Sequence, residues 1–123
     1  MGVYTGIAQD NVTIISGKAD ALTLRSVVSL APVTKTASFT LGAYENFVVC
    51  NGAGSITVTF PTASANSGRV VWIKTIAAQT VVSASSNVKP INSNTAGTAI
   101  LAASAGAWAM LVCDGTSWII MAS

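Results

Sequence analysis

The sequence predicts an all-β chain, a compact β-sandwich or barrel-like module with an N-terminal arm. Three observations lead there. Apolar and polar residues alternate with a period of two over much of the chain. Strand-like runs recur about every eight to twelve residues with turn chemistry between them. No segment keeps a helical period over the roughly ten residues a helix needs.

Residues 1–34 read as an arm or leading β-layer, and 35–123 as the sandwich module. Val12 to Ile15 and Leu22 to Leu30 have strand-like composition. They lie among Asp10, Lys18, Asp20 and Arg25, more than a third of the charges in about a quarter of the length. Ala31-Pro32 marks a boundary, because Pro restricts the residue before it and cannot donate to a ladder. Ordinary edge strands of the same module are an equal reading of this portion.

From Thr36 to Leu41, Ala37, Phe39 and Leu41 fall on one face and Thr36, Ser38 and Thr40 on the other. Phe47 to Cys50 is a short apolar strand closed by the turn residues Asn51-Gly52-Ala53-Gly54. Ser55 to Phe60 puts Ile56, Val58 and Phe60 inward, and Pro61 stops it. Arg69 to Lys74, apolar on both faces and bounded by charges, reads as a central strand. Thr80 to Ser83, Val88 to Ile91 and Thr98 to Ala102 are shorter strands separated by Ser- and Asn-rich turns. Trp108 to Cys113 and Trp118 to Met121 flank Asp114-Gly115-Thr116-Ser117, a strong hairpin signal.

Both hairpin strands are apolar on both faces, whereas a strand of a small soluble domain usually leaves one face wet. Something must cover the second face, and another copy of the chain or a larger assembly is the expected cover. Trp118 and Ile120 lie on one face, Ile119 and Met121 on the other. One set should be core and the other should touch a neighbour.

Composition narrows the function. At 123 residues the chain is one domain. It is 51% hydrophobic and 8% charged, with a net charge of +2, against about 25% charged in an ordinary domain. A surface of Ser, Thr, Asn and Gly with little self-repulsion favours permanent packing against a neighbour. Residues 96–113 carry no charge, but they are mostly small residues interrupted by a turn at 104–106, so a membrane span is not expected. No secretory leader is visible at the start.

With no His, the commonest general base, metal ligand and triad member is missing. Asp10, Asp20 and Glu45 lie in separate segments, and Asp114 occupies a turn position that prefers Asp for backbone reasons. The expectation is a non-enzyme without cofactor or metal. Asn51 to Gly54 is a turn and not a phosphate loop, since no helix with Lys-Ser/Thr follows. Six dispersed basic residues make no nucleic-acid stripe. Cys50 and Cys113 lie in apolar strands, where buried thiols are favoured and a disulfide stays open. Trp72, Trp108, Trp118 and Tyr44 could form a sugar platform. The stronger reading puts the Trp residues in the core or between subunits.

Residues 55–122, from Ile56-Thr-Val-Thr-Phe-Pro61 through Gly68-Arg69, Val70-Val-Trp-Ile-Lys74 and Ile91-Asn92 to Trp108 and Asp114-Gly-Thr-Ser-Trp118, resemble a β-module of tailed-bacteriophage virions. The module recurs in their appendage and decoration proteins. Ile76-Ala-Ala-Gln79 departs from the polar turn typical there and leaves the register after Lys74 open. The resemblance implies a homotrimer. A chain of this length starting at Met1 reads as a capsid decoration (cement) protein on the head surface of the virion. It would bridge neighbouring major capsid subunits, with Asp10, Lys18, Asp20 and Arg25 as capsid-contact candidates. Trp72, Trp108, Trp118, Ile119 and Met121 are the subunit-interface candidates. The alternative is a receptor- or glycan-binding module of a tail fibre or head fibre.

Overall fold

A computed structural model of the chain describes residues 30–123. Six strands form one sheet, in the order β1 (Val33–Lys35), β3 (Phe47–Cys50), β5 (Val70–Thr75), β9 (Trp108–Cys113), β10 (Trp118–Ala122) and β7 (Val88–Lys89). Four form the other: β2 (Phe39–Thr40), β4 (Ile56–Thr59), β6 (Val81–Ser83) and β8 (Ala99–Leu101). Both sheets are mixed, and neither closes into a barrel among the described residues. The all-β expectation is met by two open layers.

The chain alternates between the sheets from β1 to β6, so strands two apart in sequence stack in parallel. Val33 aligns with Val48 and Val48 with Ile73; Phe39 aligns with Val58 and Val58 with Ser83. Parallel neighbours need a crossover. Here each crossover is itself a strand of the opposite sheet, which makes a short solenoid-like winding. The winding then stops: β8 and β9 return antiparallel to β6 and β5, and β10 returns antiparallel to β9.

Alternation explains the core. In β4, Ile56 and Val58 face inward and are buried, while Thr57 and Thr59 face out. In β5, Val71, Ile73 and Thr75 are buried while Val70, Trp72 and Lys74 are exposed. Ile56, Val58, Val71 and Ile73 form one cluster between the layers with Val48, Cys50, Val81, Leu111 and Trp118. Cys50 and Cys113 are free thiols inside it. Burial pushes the Cys50 thiol up to about 11.

Several elements differ from the sequence expectation for local reasons. Only Phe39–Thr40 of the Thr36 to Leu41 run is strand, because the Thr57 N–H donates to the Ser38 hydroxyl at 2.9 Å instead of to a backbone carbonyl. Val88 to Ile91 shortens to Val88–Lys89, since Pro90 has no N–H to pair. Val33–Lys35 is a sheet strand, paired in parallel with β3. Residues 76–79, whose register was open, are ordered around Gln79. Its buried side chain accepts from the Gly52 N–H and donates to the Gly54 carbonyl, both at 2.7 Å. Gly52 must lack a side chain, because a Cβ there would lie 2.8 Å from the Thr36 carbonyl oxygen.

The closing hairpin has the expected turn. Asp114 Oδ1 accepts from the N–H groups of Thr116 at 2.8 Å and Ser117 at 2.7 Å. Gly115 supplies a φ of 91° that other residues resist.

Candidate functional site

The sheet registers arrange the outward side chains of the six-stranded sheet in three rows. Val49, Lys74 and Trp108 lie opposite one another in the first, and Phe47, Trp72 and Met110 in the second. Val70, Val112 and Ile119 make the third. These nine side chains are apolar except for Lys74, and the rows run on to Thr34 beside Val49 and to a second cation, Lys89, beside Ile119 at the sheet edges. Met121, beside a register shift between Ile120 and Ala122, adds a further exposed apolar group.

Trp72 and Trp108 are diagonal neighbours on adjacent strands. Their rings stack with centroids 5.7 Å apart and planes 21° from parallel. They are 39% and 41% exposed, with Phe47 at 39% beside them. A groove of about 360 Å³ runs along this end of the face, lined by Pro32, Phe47, Val49, Trp72, Lys74 and Trp108 among others. Among the described residues, Lys74 supplies the only charged side chain in its lining. Buried Val71 and Ile73 alternate with the exposed Trp72 and Lys74 along one short strand and fix how the outward groups project.

The end of the groove near Phe47 is held by the turn before it. Glu45 accepts from the Lys35 ammonium and from the Gly42 N–H, each at 2.8 Å. The Lys35 bond first, then the Gly42 bond, hold the Glu45 carboxyl below the usual carboxylate range. Arg69 donates to the carbonyls of Gly42 at 2.6 Å and Glu45 at 2.9 Å. The Asn46 carbonyl in turn accepts from the Trp72 N–H at 2.8 Å. Asp114 is also held below the usual range, by the Ser117 and then the Thr116 N–H groups. Both side-chain carboxylates of the described region are therefore occupied in stabilising turns. Among the described residues no group of three His, Cys, Asp or Glu side chains could hold a metal ion. No helix there is long and apolar enough to cross a membrane.

Of the interface candidates, Trp72, Trp108, Ile119 and Met121 reach the outer face. Trp118 does not. It is fully buried within the chain and stacks on Phe60 with centroids 4.7 Å apart. Period-two alternation is the cause: Trp118 and Ile120 share the inward side, and Ile119 points out between them. Tyr44 is 81% exposed on the turn ahead of Phe47, away from the core. Asp10, Lys18, Asp20 and Arg25 lie outside the described residues. Phe47, Val70, Met110 and Val112 were not among the candidates, although apolar residues on both faces of their strands were the available signal. Lys74 was passed over as a strand boundary.

Comparison of the chain with protein-family models, with curated proteins and with solved structures finds no match.

Proposed function

We propose that this chain is a structural virion subunit, a capsid decoration protein that trimerises on a phage head and bridges major capsid subunits. One observation carries the reading: the outward rows of the six-stranded sheet form an apolar, aromatic face that water would otherwise cover. The exposed parts of Phe47, Val70, Trp72, Trp108 and Met121 come to roughly 400 Å² of apolar surface, within the range of the largest patch on a typical monomer, which is often functional. That is about half of the roughly 800 Å² each partner buries in a standard interface.

The resemblance of residues 55–122 to phage virion modules supports the same reading. So does a composition poor in long charged side chains, which reduces the entropy lost in a permanent contact. The glycan-binding alternative gains less, because the groove is mainly apolar and offers few polar groups to read sugar hydroxyls.

The test compares Val112→Glu, on the apolar face, with Thr59→Glu, on the outer face of the four-stranded sheet. Native mass spectrometry of the parent chain should give a trimer. Val112→Glu should reduce it to monomer and Thr59→Glu should leave it intact. Gold-labelled antibody should mark the head of intact particles, and stripped heads should bind the purified protein saturably. A monomeric parent chain, or label confined to the tail, overturns the proposal.

A further inference from the structure

Lys74 sits where an assembly face least tolerates a charge. It lies between Val49 and Trp108 in the first row, with Trp72 two residues before it on the same side of β5. Any protein that covers the groove strips water from the ammonium. An ion buried without a partner costs several kcal/mol, so the covering surface must bring an anion. Residues 30–123 of a sister copy hold two carboxylate side chains, and each already has partners. Glu45 is taken by Lys35 and Gly42, while Asp114 gives Oδ1 to the amides of its own turn and has Oδ2 3.9 Å from the Lys89 ammonium. Two copies meeting face to face over the groove would also bring two ammonium groups together.

We infer that the groove formed by Phe47, Trp72, Lys74 and Trp108 receives an acidic-apolar peptide segment of a different protein. This segment buries aliphatic or aromatic side chains against the stacked Trp pair and sets a carboxylate on Lys74. The inference rests on reading the outer face as an assembly surface, and it assigns the Trp end of that face to a foreign partner. The chemistry fits. The groove volume of about 360 Å³ holds a few side chains and not a folded element. Stacked Trp rings half open to solvent are the residue type that dominates protein interfaces once desolvated. A single ammonium among apolar walls gives sign selectivity without the many donors and acceptors a saccharide requires.

The experiment selects binders from a randomised short-peptide library on the purified full chain. Selected peptides should be enriched in Asp or Glu next to aliphatic or aromatic residues. Binding should quench or shift the fluorescence of the exposed Trp residues. Trp108→Ala should weaken the selected peptides about tenfold or more. Lys74→Met, which keeps the aliphatic stem, should abolish the preference for acidic over neutral peptides, and Lys74→Glu should reverse it towards basic ones by about tenfold. Circular dichroism and the native mass of each variant establish that fold and oligomer are intact.

Binders without acidic enrichment, or a preference unchanged by Lys74→Glu, would overturn the inference. Tighter binding of oligogalacturonate than of any selected peptide would identify a saccharide site instead. Protection of Trp72 and Trp108 from acrylamide in the free oligomer would mean that sister copies cover the groove, which also overturns it. Those failures leave trimer mass and head location untouched, whereas a monomer or tail location would remove the virion reading and leave peptide selection standing.

Discussion

Replacing Gln79 by Leu is expected to destabilise the fold by about 2–3 kcal/mol. The substitution nearly conserves volume at a side chain that is 4% exposed, so little of the loss comes from packing. What changes is polar. The Gly52 N–H loses its acceptor and the Gly54 carbonyl its donor, each bond 2.7 Å long. An unsatisfied buried group costs about 1–3 kcal/mol. Gly52 is half-buried and carries most of this cost, whereas Gly54 is exposed and water can replace Gln79 at its carbonyl. At about 4–8 °C per kcal/mol for a domain of this size, the melting temperature should fall by roughly 10–20 °C. The assay is denaturant unfolding followed by Trp fluorescence at fixed protein concentration.

Gln79→Glu separates this reasoning from a packing effect. A protonated carboxyl can still accept from Gly52 and donate to Gly54, but a carboxylate repels the Gly54 carbonyl oxygen. The folded state would therefore raise the pKa of the introduced carboxyl above its unfolded value of about 4.3. A raised acid pKa gives stability that is present below the unfolded value and lost as pH rises through the folded one. Measured against the parent chain at each pH, Gln79→Glu should be nearly neutral at low pH and destabilising at pH 7. A Leu variant within about 0.5 kcal/mol of the parent, or a Glu variant with no pH dependence, would refute the assignment.

Three further outcomes follow from the packing and the ionisable groups. Trp118→Ala should cost about 3–5 kcal/mol in denaturant unfolding, because it empties a fully buried site stacked on Phe60. Glu45→Gln should be less stable than the parent at pH 7. Because the folded Glu45 pKa is lowered, its contribution is present above the unfolded value and lost as pH falls through the folded one, so the two melting curves should converge in acid. Cys50, with a thiol pKa of about 11 and no exposure, should resist iodoacetamide at pH 8 in the folded chain and label fully in denaturant, as read by mass spectrometry.

Much of the strand content was legible in the sequence because it rests on a local signal. Ile56, Val58 and Phe60 alternate with Thr57 and Thr59, and the same alternation separates core from surface in the structure. Asp114 and Gly115 announced the last hairpin through backbone needs that extend over only four residues. The parallel stacking was not legible. Alternation fixes which side of a strand is buried but says nothing about which neighbour it pairs with. Gln79 was hidden for a related reason: its partners lie 25 and 27 residues away, so a polar side chain in an apolar stretch read only as a departure from pattern. Trp118 was misassigned because a strand apolar on both faces gives no sign of which face is inside. Its stacking partner Phe60 comes from a segment far away in the chain.

The two sheets share one core but turn different surfaces outward, and this difference is the strongest functional statement the fold makes. Beyond the four-stranded sheet lie Thr40, Thr57 and Thr59, short hydroxyl side chains that water can satisfy, beside the small apolar Val82 and Ala99. Across the core, the six-stranded sheet presents Phe47, Val70, Trp72 and Trp108. Core packing cannot account for the second set, since the inward residues of the same strands already fill the interior. Nor is it a uniform greasy surface for sister copies, because Lys74 interrupts it at the groove where the two Trp rings stack. A face that only had to match itself would gain from an apolar residue there. Under the assembly proposed for this face, Lys74 would tie its Trp end to a partner carrying the opposite charge, and copies of the chain would meet over Val70, Val112, Ile119 and Met121, with Lys89 beside Ile119 at the sheet edge.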